Sequence, residues 1–317
     1  MKVHEIIRQS TKTLLTLELL PPVKGSNFDG IASTIESLIE FKPAYVNITY
    51  HRADVVVSKN AKGEAEKHVT KKRPGTVSIA AAIKYKYGLE VVPHLVCGGF
   101  TKEETEDALI DLNFLSIQNV LALRGDKLKN DEYFVSEENG HAHAIDLLRQ
   151  IKDMNNGCYL HSEISNAVAT DFSVGVAGYP EMHGDADSME QDLVYLKQKV
   201  DAGADYIVTQ MFFDNAAFIR FVEKCRSMGI TIPIIPGLKP ISVKRQLEIL
   251  PETFHLSIPE ELKKEVGKAK DDKAVKQVGI EWAISQCKEL NKYGVPALHF
   301  YTMGRPDNIV AICKEVF

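Results

Sequence analysis

The sequence predicts a (β/α)8 barrel, and three observations carry that prediction. Short, β-branched apolar runs occur eight times, at 14–20, 44–50, 90–95, 119–124, 172–177, 205–212, 232–238 and 297–302. Stretches with helical spacing lie between most of them, at 31–40, 101–115, 187–201, 215–228 and 273–292. The runs are apolar almost throughout rather than alternating. Strands that alternate with helices pair in parallel through right-handed crossovers, and near-continuous apolar strands fit a sheet covered on both faces. Eight such units point to a closed barrel rather than an open doubly wound sheet.

Taken in order, each strand is apolar up to a polar end. The first, in TLELLPP, holds Glu18; the second ends at Thr49-Tyr50; the third, in VVPHLVC, holds His94. The fourth, NVLAL, runs into Arg124-Gly125-Asp126, and the fifth leads to Tyr179, Glu181 and His183. The sixth, DYIVTQ, ends at Gln210, the seventh at Lys239, and the eighth at Tyr301 with Arg305 beyond. In such a barrel the C-terminal strand ends converge on one face, where chemistry is expected. Two stretches disturb the rhythm. Residues 127–170 form a long polar insertion with one helix at 143–154 and a loop, and 242–292 is long enough for two or three helices. With no internal repeat and no Pro- or Ser-rich linker, residues 1–317 read as a single barrel domain.

The 38 Lys and Arg against 43 Asp and Glu give a formal charge of −5, which argues against a nucleic-acid binder. No apolar run reaches the ~20 residues needed to span a bilayer, and MKVHEIIRQS lacks the apolar core of a signal peptide. The five Cys include no C-x-x-C pair, the usage expected of a reduced, cytoplasmic protein.

Glu18 is the most informative position, because burial disfavours the charged form of a carboxyl and suits it to general-acid work. A carboxylate paired with a buried cation is the alternative. Gly125 allows a tight turn, and Arg124 offers a fork for phosphate or carboxylate. Gln210, followed by Met211-Phe212-Phe213, offers a donor and an acceptor to the edge of a heterocycle. Asp192 and Lys199 are two turns apart on one helix face, where a Lys could meet a phosphate. His141, His143, Cys158 and His161 could in principle gather round a metal, but no H-E-x-x-H spacing occurs and no metal is expected. The chain contains neither G-x-G-x-x-G nor G-x-x-x-x-G-K-[ST], so a dinucleotide would not be held in the Rossmann or P-loop manner.

The motifs TLELLPP, NITY, PHLVC, LALRGD, VAGYPEMH, KVDAGAD, VTQMFFD, IIPGLKP and HFYTMGR occur in this order, and the chain thereby resembles the methylenetetrahydrofolate reductases from about Leu14 to its end. The resemblance implies a (β/α)8 barrel that binds FAD non-covalently at its C-terminal face. It implies ping-pong reduction of 5,10-methylenetetrahydrofolate to 5-methyltetrahydrofolate with NADH or NADPH, in a homo-oligomer serving one-carbon metabolism and methionine synthesis. By the same resemblance, Glu18 is the acid that protonates the substrate, and Asp126 lies beside flavin and pterin. Tyr50, His94, Arg124, Gly125, Ala144, Tyr179, His183, Ala186, Asp192 and Lys199 match flavin-binding positions, and Thr49 lines the shared nicotinamide and flavin site. Gln210, Gln246 and Arg305 match folate-contacting positions. Departures are Leu19-Leu20 in place of aromatics, Leu250 in place of a ring-stacking Phe, and Tyr195 and Gln198 near the adenosine half of FAD. The regulatory domain of eukaryotic relatives, which binds S-adenosylmethionine, is not expected. Two other readings stay open on the residues alone: a flavin barrel resembling proline dehydrogenase, and a non-redox lyase barrel using a metal or a Lys239 Schiff base.

Overall fold

The computed structural model describes residues 1–59, 65–128, 131–161 and 166–317. Parts of the 127–170 insertion therefore lie outside the described residues. The strands are β1 (Leu14–Leu19), β2 (Tyr45–Ile48), β3 (Asp54–Lys59), β4 (Ala65–Thr70), β5 (Glu90–Val96), β6 (Asn119–Leu123), β7 (Ser173–Gly178), β8 (Tyr206–Met211), β9 (Ile234–Leu238) and β10 (Ala297–Tyr301). Leaving aside β3 and β4, they form a closed parallel barrel in the order β1-β10-β9-β8-β7-β6-β5-β2. Closure pairs Thr16 with His299 and Glu18 with Tyr301. This is the (β/α)8 barrel that the alternation predicts.

The helices are α1 (Val3–Gln9), α2 (Asp29–Glu36), α3 (Thr76–Tyr87), α4 (Lys102–Phe114), α5 (Ala144–Asn155), α6 (Met189–Asp201), α7 (Asn215–Ser227), α8 (Gln246–Phe254), α9 (Glu260–Lys268), α10 (Asp272–Tyr293) and α11 (Asp307–Val316). Several begin at side-chain caps close behind a strand. Thr101 accepts the Glu104 amide while the Glu104 carboxylate accepts the Thr101 amide, a reciprocal box that fixes the start of α4. Ser188 and Asp214 cap α6 and α7 through the amides of Gln191 and Ala216. Such caps satisfy first-turn donors that would otherwise go unpaired.

Three features are not among the strands and helices read from the periodicity. The antiparallel strand pair β3–β4 pairs, among the described residues, with no barrel strand. Helix α3 supplies the crossover from β2 to β5, burying Ile79, Ala80 and Ile83 against the barrel. Its apolar stripe is short, so periodicity gave little sign of it. Helix α1 precedes the barrel and closes its N-terminal end: Val3 is fully buried among Tyr45, Tyr206 and Ala297, and its amide donates to Asn119 Oδ1 at 2.8 Å. With that end plugged, the C-terminal mouth is the end left for a ligand.

The packing divides accordingly. One large apolar cluster lies between the sheet and its helices, including Leu17, Ile48, Val120, Val176 and Phe300. A smaller one fills the lumen, with Val92, Leu121, Val208 and Ile235. A third sits under α8, α9 and α10, with Phe213, Leu250, Leu262 and Val275; it is the core that makes 242–292 a structured addition. Among the described residues no helix is long and apolar enough to cross a membrane.

Candidate active site at the C-terminal mouth

A cavity of about 560 Å³ opens at the C-terminal ends of the strands, within the ~300–1,000 Å³ usual for small-molecule sites. Its apolar lining includes Val96, Leu121, Leu123, Ala177 and Val208. Its polar wall brings together residues from six strand ends: Glu18, Thr49 and Tyr50, His94, Arg124 to Asp126, Tyr179 and His183, and Gln210. Glu18 and Asp126 therefore face one space. A second hollow, about 580 Å³, lies against α7 and α10 with Asp214, Glu260, Glu261 and Glu289 in its wall; that set repels anions and holds none of the strand-end groups.

Glu18 is placed by β1, whose side chains alternate between lumen and helix layer. Its side chain is 13% exposed, with Oε2 at 3.7 Å from His94 Nε2 and 3.9 Å from His299 Nε2. His299 is held from behind by Thr16, whose Oγ1 is 2.9 Å from Nδ1. Burial holds the pKa of His94 down at about 4, an effect that the nearby Glu18 only partly offsets. His94 is therefore neutral at pH 7, and its contact with Glu18 is a dipolar one at a distance beyond hydrogen-bond range. Its Nε2 is buried with no hydrogen-bond partner, so a ligand or the carboxyl itself can take it up.

Arg124 directly follows β6, and Gly125 comes next with φ +84°, a left-handed conformation in which a side chain is strained. This turn aims Asp126 into the cavity. The Arg124 guanidinium pairs with Asp185 and lies 5.2 Å from the Phe134 ring centroid. Arg52 covers the same ring at 5.9 Å and pairs with Glu137 at 2.6 Å. Two cations on one aromatic ring thus tie the insertion to the mouth. His183 meets Tyr179 edge-on at 4.6 Å between ring centroids, and its pKa is lowered by burial and then by Arg124.

The remaining candidates do not line the cavity. Asp192 accepts the His183 amide at 2.9 Å, and Ala186 closes a turn onto the His183 carbonyl at 3.0 Å; both support His183 from behind. Lys199 donates to the carbonyl of Ala177 at 2.9 Å, with its pKa pushed down to about 8 by burial despite Asp192. Ala144 is the first residue of α5. Gln246 starts α8 and spends its amide oxygen on the backbone of Ser242 and Val243, at 2.6 and 3.3 Å. Arg305 is exposed in the turn after β10. His141 pairs with Gln150 and His161 with Glu103, and among the described residues no group of three or more His, Cys, Asp or Glu is arranged to hold a metal.

Two features of the site were not foreseen. His51, next to Tyr50, lines the cavity, and its pKa is lowered by burial and by Arg73, with Glu18 and Asp126 acting the other way. His299 is a polar residue inside an apolar strand, the same signal that marked Glu18, and could have been read the same way. A register shift in β8 between Val208 and Met211 against β9 turns both Gln210 and Met211 toward the cavity, as a bulge re-aims neighbouring side chains.

Gly237 on β9 makes room for Tyr301, whose hydroxyl donates to the Thr209 carbonyl at 2.7 Å. A Cβ at 237 would lie 2.2 Å from that carbonyl oxygen and 2.7 Å from the Tyr301 ring. Gly237→Ala is expected to cost about 2–3 kcal/mol, read as a lowered urea midpoint. An unchanged midpoint would show that the β8–β9–β10 seam opens without penalty.

The family model described as methylenetetrahydrofolate reductase matches residues 2–316. Methylenetetrahydrofolate reductase (NADH) 1 of Arabidopsis thaliana is 34% identical over 100% of this chain, which covers 51% of that protein. The chain thus spans about half the length of the plant relatives it matches. The 5,10-methylenetetrahydrofolate reductase of Pectobacterium carotovorum is 32% identical over 99% of this chain and 95% of its own length. Among solved structures, an uncharacterized protein from Clostridium thermocellum that binds two copies of 5-methyl-5,6,7,8-tetrahydrofolic acid superposes with a TM-score of 0.59 at 16% identity, over 98% of this chain and 96% of its own; at that identity the likeness is one of fold. From the family match over almost its whole length, the chain belongs to the methylenetetrahydrofolate reductase family.

Proposed function

We propose that the chain reduces 5,10-methylenetetrahydrofolate to 5-methyltetrahydrofolate, with NADH or NADPH as donor and FAD held non-covalently in the C-terminal cavity. The observation that carries this reading is the Glu18 carboxyl, set against two imidazoles in the wall of a cavity that it shares with Asp126. The residues fit a flavin: the apolar lining suits a flat tricycle, His94 Nε2 lacks a partner, and the Arg124 guanidinium stands at the rim for the pyrophosphate. Thr49, Tyr50, Gly125, Tyr179 and His183 would complete the cradle, with Lys199, Asp192, Ala186 and Ala144 behind it. When bound, FAD would take hydride from the nicotinamide and deliver it to the folate.

The chain's own residues have separate tasks. Glu18 protonates the bridging nitrogen of the substrate, so that the ring opens to an iminium ion able to accept hydride. His94 and His299 flank the carboxyl and hold its orientation. Asp126 places a negative charge beside the developing cation. Gln210 presents donor and acceptor to the pterin edge, and Gln246 and Arg305 hold the rest of the folate. A cavity that serves donor and folate in turn makes the reaction ping-pong. The test is anaerobic: protein loaded with FAD is mixed with NADH or NADPH and then with methylenetetrahydrofolate. Bleaching of the flavin band followed by its return supports the reading; a flavin that neither nucleotide bleaches, or that folate does not restore, overturns it.

A further inference from the structure

Lys239 directly follows Leu238, the last residue of β9. Side chains of β9 and β10 alternate between layers: Ile235 and Ala297 belong to the lumen cluster, whereas Ile234, Leu238, Leu298 and Phe300 pack under the helices. That alternation puts Lys239 on the lumen side, one step beyond Gly237. The pairing of Phe300 with Leu238 sets it level with Tyr301, a cavity residue. Beyond Tyr301 the chain turns tightly, with the Arg305 amide donating to the Thr302 carbonyl at 2.9 Å. Burial disfavours protonation of the half-buried Lys239, and the charge of Arg305 opposes it further.

Among the described residues neither side chain has a hydrogen-bond or ion-pair partner. Two like charges brought together, one of them partly desolvated, cost stability unless an anion joins them. Arg305 matches a folate-contacting position by resemblance; nothing in that resemblance assigns Lys239.

We propose that Lys239 is a substrate-binding residue that, together with Arg305, takes the two carboxylates of the glutamate at the tail of the folate. The inference rests on the proposed function and adds the place where the tail ends. Gln210 closes β8, and Lys239 follows on the neighbouring strand, so a pterin held at Glu18 and Gln210 sends its tail out across β9 toward the two cations. Arg305 offers a fork for one carboxylate and Lys239 a point charge for the other.

The experiment compares 5,10-methylenetetrahydrofolate with 5,10-methylenetetrahydropteroate, which has the same reacting ring but no glutamate. Lys239→Met is expected to raise KM for the folate about tenfold and KM for the pteroate by no more than about twofold, because only the folate loses a charge-assisted contact. Lys239→Arg, which keeps the charge, is expected to stay within about threefold of wild type on the folate, separating loss of charge from damage to packing. Equal factors on the two substrates, or an unchanged folate KM in Lys239→Met, would overturn the inference. A wild-type protein that reduces neither compound would instead overturn the functional reading, and the inference with it.

Discussion

Glu18→Gln is expected, on the proposed flavin mechanism, to lose the folate half-reaction by about a hundredfold to ten-thousandfold, the range for removal of a positioned general acid, while bound FAD is still reduced by the nicotinamide. The amide matches the carboxyl in size and still accepts from an imidazole, so the cavity keeps its shape. It has no proton to give at neutral pH. Neither flanking imidazole is placed to replace it: His94, 3.7 Å away, is held neutral by burial, and His299 stands behind the carboxyl with its other nitrogen engaged at Thr16. Reduction by the nicotinamide needs no proton from this wall. The two halves therefore separate in one anaerobic stopped-flow experiment, with bleaching by NADH or NADPH near the wild-type rate and no return of the flavin band on adding methylenetetrahydrofolate. A Gln variant that reduced the folate at the normal rate would remove Glu18 from the mechanism.

Glu18 was legible because a carboxylate inside LLTLEL breaks an otherwise apolar run, and the barrel was legible because eight such runs alternate with helices. What Glu18 touches was not. His94 lies 76 positions along the chain and His299 another 205 beyond that, and only closure of β10 on β1 brings His299 and Thr16 together. Local periodicity cannot report that contact. The same holds for Phe134, whose place between Arg52 and Arg124 depends on the path of the insertion rather than on any repeat. Gln246 shows the opposite limit. The resemblance carried it over as a folate contact; its amide oxygen is engaged by the amides of Ser242 and Val243, a local bond that the resemblance does not reveal and that leaves the amide nitrogen for a ligand. Lys239 was visible as a strand-end cation, but its nearness to Arg305 comes from the turn after β10.

His94 should also set part of the protein's acid stability. Its imidazole has an ordinary pKa of 6.5, and burial holds it at about 4 in the folded chain. Between those values the unfolded chain binds a proton that the folded chain refuses. Stability that is fully present above pH 6.5 is therefore lost as the pH falls toward 4, and the gap is worth about 3 kcal/mol. The direction follows from structure: His94 is 4% exposed, and the charge of Glu18 at 3.7 Å is not enough to repay desolvation of an imidazolium. His94→Gln keeps a polar side chain at the site and cannot titrate. Urea midpoints at pH 7 and pH 4.5 should fall less for the variant than for wild type, by about 2–3 kcal/mol when converted to free energy, since the other carboxylates and imidazoles are common to both. Equal losses would mean that the imidazole is already protonated in the folded state at pH 4.5. His94 would then face Glu18 as a cation under acid conditions, and the carboxyl would be an ion-pair partner there instead of a proton donor.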